Sequence, residues 1–145
     1  MIDIDRISGD VIDVAIRLHR DLGPGLLESV YEMVLAARLA QMGYSVARQR
    51  AIDIEFEGLR FPAAFRIDIL VDERLLVEIK SVEKLSPVHS KQLLTYLRLT
   101  GQPVGLLLNF GGETLKEGIR RLVNDHKPLC ASAPLREQFE GSTDV

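Results

Sequence analysis

The sequence predicts an α/β domain in which an antiparallel meander feeds a helical crossover into a further strand. Three observations point there. Apolar residues recur at three- and four-residue steps over about residues 4–42, the spacing of helix faces. From Tyr44 the period changes to two, the spacing of strands. A Ser-Pro helix start and a Gly stop then frame one more helix ahead of a wholly apolar strand.

The elements follow in order. Ile4, Ile7, Val11, Ala15, Leu18 and Leu22 form one face of a helix over about 4–21, ended by Gly23-Pro24-Gly25. A second helix is expected over about 26–42, with Leu27, Val30, Tyr31, Val34 and Arg38 on one side and Gly43 as its C-terminal cap. Val46–Phe56, Arg60–Val71 and Leu75–Ile79 read as strands, with turns at Gly58 and at Asp72-Glu73. Ser86 and Pro87 open a third helix that runs to about Thr100 and stops at Gly101. Val104–Asn109 is a strand of the kind buried on both faces. Residues 115–124 fit an edge strand better than a short helix. The polar stretch 131–145 has no periodicity and is expected to fray, leaving one domain over 1–130.

Composition narrows the class. The 145 residues are 46% hydrophobic and 27% charged, enough for one core and little more. No apolar run approaches the ~20 residues of a membrane span, so no membrane partner is expected. The acidic start lacks the pattern of a signal peptide, and Cys130 is the only cysteine. A cytoplasmic location and no cysteine-based zinc site are the expectations. The net charge of −3 argues against a protein that coats nucleic acid, but not against an enzyme acting on it.

The chemistry gathers in two segments, Arg66-Ile67-Asp68-Ile69-Leu70 and Leu76-Val77-Glu78-Ile79-Lys80. Residues two apart on a strand share a face, so Glu78 and Lys80 point one way while Val77 and Ile79 point into the core. Asp68, between Ile67 and Ile69, also leaves the apolar face. Two carboxylates set together call for a cation, and Mg2+ or Mn2+ is the natural oxygen-loving occupant. Lys80 beside it could orient a water, and the Ile79 carbonyl could add a ligand. The D-x9-E-x-K spacing alone fits an exposed ion pair on a wet strand face better than a site.

Further residues shift that balance. Glu28 lies at the edge of the second helix's apolar stripe, although pairing with the helix N-terminus also explains an acid there. Gln92 and Tyr96 share a face of the third helix, with His89 alongside, as an ordinary amphipathic helix could also arrange. The site also makes a geometric demand. Directly opposed residues of an antiparallel pair share a face, so Asp68 must lie opposite Glu78 or be offset by two. A two-residue turn at Asp72-Glu73 pairs Asp68 with Val77 instead. An odd-length turn such as Asp72-Glu73-Arg74, or a bulge, is therefore predicted.

The segment from His19 through Gly23-Pro24-Gly25-Leu26-Leu27-Glu28-Ser29-Val30-Tyr31 resembles the signature of the GxxExxY family. So do Glu78-Ile79-Lys80-Ser81-Val82-Glu83-Lys84-Leu85, Gln92-Leu93-Leu94-Thr95-Tyr96-Leu97 and Val104–Phe110. That family is placed among the PD-(D/E)XK nucleases. The resemblance implies a restriction-endonuclease-like core, a central mixed β-sheet flanked by helices. It implies Glu28, Asp68, Glu78 and Lys80 as catalytic residues and Glu28, Asp68, Glu78 and Ile79 around a Mg2+ or Mn2+ ion. Gln92 and Tyr96 match the QxxxY element that helps hold a substrate strand. Two features depart from the pattern: no Pro-Asp dipeptide precedes the E-x-K, and His19 lies across a Gly-Pro-Gly break from Glu28, so it is given no metal role.

The expected function is therefore metal-dependent hydrolysis of phosphodiester bonds, in DNA rather than RNA, with low sequence specificity. Arg48, Arg50, Arg66, Lys84, Lys91 and Arg98 could line a phosphate track, or could simply be solubilising charge. The alternatives are a catalytically silent nuclease-fold module that binds nucleic acid or protein, and a structural domain with a solvated acidic face. A homo-oligomer, or a protein partner that supplies specificity, fits so small a domain.

Overall fold

The computed structural model describes residues 2–124; the tail expected to fray and the expected boundary at 130 lie outside them. The elements run α1 (Ile4–Leu22), α2 (Glu28–Gln41), β1 (Val46–Phe56), β2 (Leu59–Val71), β3 (Leu75–Lys80), α3 (Pro87–Thr100), β4 (Val104–Asn109) and β5 (Ile119–Val123). A short 3-10 turn, Lys116–Gly118, precedes β5. The sheet order is β1-β2-β3-β4-β5. Neighbours are antiparallel except β3 and β4, which are parallel and joined by α3. The expected mixed sheet with flanking helices is what forms, because a parallel pair needs a crossover and α3 supplies it.

Two apolar layers hold the helices to the sheet. Under α1 and α2, Ile7, Leu18, Tyr31 and Leu35 meet Ile69, Val77 and Leu106. Under α3, Leu93 and Leu97 meet Ile67, Leu70, Leu76 and Leu107. No described helix is long and apolar enough to cross a membrane.

Helix α2 differs from expectation in start and in rotation. Gly25 has φ +96° and Leu27 is an extended N-cap, so the helix opens at Glu28 rather than at 26. Its buried face is Tyr31, Glu32, Leu35, Ala36 and Leu39. Leu27 is 75% exposed, Val30 is exposed as well, and Arg38 pairs with Asp21 at the surface. Both stripes contain Tyr31 and both are apolar, so periodicity could not choose between them; packing against α1 and the sheet did. Gly43 ends the helix as expected. With φ +100°, it donates to Ala40 O while Tyr44 N–H reaches back to Leu39 O, which satisfies carbonyls that a helix end leaves open.

The turn between β2 and β3 has the predicted odd length. Val71 pairs with Leu75, Leu70 with Leu76 and Ile69 with Val77, leaving Asp72-Glu73-Arg74 as the loop. Asp72 and Glu73 take left-handed φ of +52° and +56°. Asp72 is tied down there, since its N–H donates to Ser45 O at 2.8 Å and its Oδ1 accepts from Ser45 N–H at 2.9 Å. One step beyond Ile69↔Val77, this register sets Asp68 against Glu78.

Candidate active site

At Asp68 the sheet stops being regular. Ile67 packs under α3 but Ile69 packs under α1 and α2, so the face alternation slips between them. Simple parity put both on one face. On the neighbouring β1, Gln49 has φ +53°, the left-handed region that non-glycine residues seldom occupy. The slip leaves a gap between β2 and β3, and two carboxyls fill it reciprocally. Ile79 N–H donates to Asp68 Oδ2 at 2.8 Å, and Asp68 N–H donates to Glu78 Oε1 at 3.3 Å.

Glu78 is 7% exposed. Burial, and then the nearby charge of Asp68, push its carboxyl up to about 8, against a smaller opposing pull from the Asp68 N–H and Lys80. Lys80, two residues on, shares its face, is half-buried and has no ion pair among the described residues. Tyr96 completes this side. Its hydroxyl is held above its usual range by burial and then by the charges of Glu78 and Asp68. Its ring stacks on Phe65 with centroids 4.0 Å apart and planes 7° apart. Gln92 is exposed on the same face of α3, one turn earlier.

Helix α2 carries two carboxylates, the expected Glu28 and the buried Glu32. Glu28 is exposed at the first turn of α2 and makes no hydrogen bond or ion pair among the described residues. The rotation that turns Leu27 and Val30 outward leaves it at the surface. Glu32, one turn later, is 5% exposed and faces the sheet. Its Oε2 accepts from Arg48 Nε at 3.0 Å and Nη2 at 2.8 Å, and its Oε1 accepts from Gln49 Nε2 at 2.6 Å. Gln49 Nε2 also reaches Asp68 Oδ1 at 3.2 Å. Neither Glu32 nor Gln49 was singled out from the sequence. The signal for Glu32 was its place beside the Tyr31–Leu35–Leu39 stripe.

Other signature residues shape the surroundings. Tyr31 donates from its hydroxyl to Gly23 O at 2.6 Å, accepts from Leu26 N–H at 3.1 Å, and stacks on Phe110 at 4.4 Å. It clamps the Gly-Pro-Gly loop, and Ser81 Oγ fastens the same loop by donating to Leu26 O at 2.8 Å. His19 is buried with Nε2 facing the carbonyls of Phe110 and Gly112 at 3.2 and 3.1 Å. Both partners only accept, so Nε2 carries the proton and links α1 to the end of β4. Of the basic residues read as a phosphate track, Arg48 is committed to Glu32 and Arg50 to Glu73. Arg66 donates to Gln49 O, while Lys84 and Lys91 are exposed. Arg98 has Nε and Nη2 buried with no hydrogen-bond partner among the described residues.

No group of three or more His, Cys, Asp or Glu among the described residues is gathered closely enough to hold a metal ion. The donor set still suits a hard cation. Two carboxyls face each other at a strand break, and Mg2+ commonly takes only one or two carboxylates and fills its remaining positions with water and substrate phosphate. A lysine and a tyrosine beside them suit an anionic partner.

The fold and the acid pair at the strand break define an α/β protein with a mixed central sheet and carboxyls between two of its inner strands. A family model described as the PD-(D/E)XK nuclease superfamily matches residues 5–122, and the chain belongs to that superfamily, whose members typically use divalent metals. No curated protein and no solved structure gives a significant match.

Proposed function

We propose that this chain is a Mg2+- or Mn2+-dependent nuclease of the GxxExxY type that hydrolyses phosphodiester bonds in DNA with low sequence specificity. The observation that carries the reading is the juxtaposition of Asp68 and Glu78 at the strand break, with Lys80 on the same face. Asp68, Glu78 and the Ile79 carbonyl would hold the ion. Glu28 is the helix carboxylate of this reading, exposed at the first turn of α2, and Glu32 reaches Asp68 through Gln49. When bound, a divalent cation polarises a phosphate and acidifies a water.

The chain's own residues supply the rest. Lys80 orients the attacking water and offsets charge that builds on the phosphate in the transition state. Tyr96, braced by Phe65, and Gln92 one turn away flank the place where a substrate strand would lie. Nothing among the described residues resembles a base-reading helix, which agrees with low specificity.

A second reading also has an observation behind it. Asp68 and Glu78 each accept a backbone N–H across the break, so the acids hold the strands together without a cation. That suits a catalytically silent module that binds nucleic acid or protein. One set of measurements separates the two. Mn2+ is titrated by calorimetry into wild type and Asp68→Asn, with thermal melts of both. Plasmid, single-stranded DNA and RNA are then offered to wild type and Lys80→Ala. Metal binding with DNA cleavage that Lys80→Ala abolishes supports the nuclease. A folded wild type that binds no Mn2+ sinks it.

A further inference from the structure

We infer that Gln49 is a positioning residue, a donor bridge that fixes Asp68 for cation binding by tying it to Glu32 across the sheet; this rests on the metal-site reading above. Glu32 comes from α2 on one face of the sheet, and Glu78 lies on the face under α3. Asp68 sits at the slip between them. Among the described residues Gln49 alone hydrogen-bonds to both Glu32 and Asp68, donating from one nitrogen to Glu32 Oε1 at 2.6 Å and to Asp68 Oδ1 at 3.2 Å.

The chemistry leaves one orientation for this side chain. Both partners are carboxylate oxygens, which accept, so the end of the amide between them has to be the NH2. The backbone supports the same placement. Gln49 holds φ +53° within a strand whose pairing continues undisturbed on either side, Arg48↔Ile69 and Arg50↔Ile67. A non-glycine residue stays in that region when its surroundings over-determine it, and such residues gather at functional sites. Two further contacts act on the same segment. Arg66 Nη1 donates to the Gln49 carbonyl at 3.3 Å, and Arg48 holds the other oxygen of Glu32.

The consequence for Asp68 is definite. Its Oδ2 is fixed by the Ile79 N–H and its Oδ1 by Gln49, so the carboxylate plane cannot turn. Without the amide only one oxygen is held. Partners of this kind, one bond removed from a metal, typically change affinity by about 10–100-fold. Gln49 is exposed, and water can replace part of its bond, so the low end, about 10-fold, is expected.

Gln49→Met keeps the length and removes the donor. Gln49→Glu keeps the shape and replaces the donor with an acceptor. The test is Mn2+ titration by calorimetry on wild type and both variants, with thermal melts and circular dichroism to show that each is folded. Both variants should bind about 10-fold more weakly. In a Glu32→Leu background, which leaves Gln49 no acceptor on α2, Gln49→Met should cost much less, because the bridge has already lost its anchor. Wild-type affinity in Gln49→Met overturns the inference while leaving the metal site standing. Tighter binding by Gln49→Glu overturns it too, by showing that position 49 can join the ligands directly. A wild type that binds no Mn2+ removes the metal site and the positioning role together.

Discussion

Strand β3 has two neighbours and meets them differently. Against β4 it pairs in parallel for six residues, Leu75↔Val104 through Lys80↔Asn109, and every residue of β4 is buried. Past the last pair a side chain prolongs the ladder. Val82 N–H donates to Asn109 Oδ1 and Asn109 Nδ2 donates to Val82 O, each at 2.9 Å, so the amide imitates one more strand residue. Against β2 the pairing runs only from Val71↔Leu75 to Ile69↔Val77, and then carboxyls interrupt it. A neutral amide extends one ladder and two acids open the other. The first edge is built for stability, whereas the second keeps buried acid at a cost in stability, as the proposed metal site would require.

The largest effects should come from Asp68 and Lys80 at the open edge and be confined to activity. Lys80→Ala and Asp68→Asn are expected to lower DNA cleavage by about 10^3-fold, roughly 4 kcal/mol in barrier. Their melting temperatures should stay close to wild type, because an asparagine at 68 can still accept from Ile79. A matching collapse of the fold in Asp68→Asn would show that the break is structural.

Asn109→Ala tests the closed edge. It strands the Val82 N–H and carbonyl, and Asn109 also accepts from Gly111 N–H at 3.1 Å. A loss of about 1–3 kcal/mol is expected in denaturant melts. The folded fraction should keep its Mn2+ affinity if the two edges are independent.

Glu78→Gln should move stability the other way. The carboxyl is buried beside another acid, and a neutral amide of the same shape relieves that cost, so the metal-free protein should gain about 1 kcal/mol while Mn2+ binding is lost. A destabilised Glu78→Gln would mean that the acid is a structural asset and that the contrast between the two edges is drawn wrongly.

The open edge was only partly legible in the sequence. Asp68, Glu78 and Lys80 stood out by spacing, and facing requirements predicted the odd turn that the structure contains at Asp72-Glu73-Arg74. The slip at Asp68 was not readable, because alternation assumes an unbroken pleat and the left-handed φ of Gln49 leaves no trace in composition. Glu28 drew attention through its motif. Glu32 was hidden because α2 carries two apolar stripes that share Tyr31, and only packing against α1 and the sheet decides which one turns inward. The closed edge was easier. A wholly apolar run such as Val104–Asn109 has few places to go but the middle of a sheet.

The smallest predicted effect concerns the face opposite α3. Tyr44, in the link between α2 and β1, donates from its hydroxyl to Asp10 on α1. Burial, then the hydrogen bond to Asp10 and its charge, raise the phenol from 10.0 to about 12. The folded protein therefore keeps this proton where the unfolded chain loses it. Its stabilising contribution is fully present below pH 10.0 and disappears as pH rises through about 12. Tyr44→Phe should be less stable than wild type by about 1 kcal/mol at neutral pH, and the two melting curves should converge as the pH climbs through that window. Because Tyr44 packs with the α1 and α2 layer and not with Asp68 or Glu78, Mn2+ affinity at neutral pH should not change in the variant. A shifted affinity would mean that the two faces are coupled through the sheet, and that the break at Asp68 depends on how firmly α1 and α2 are seated.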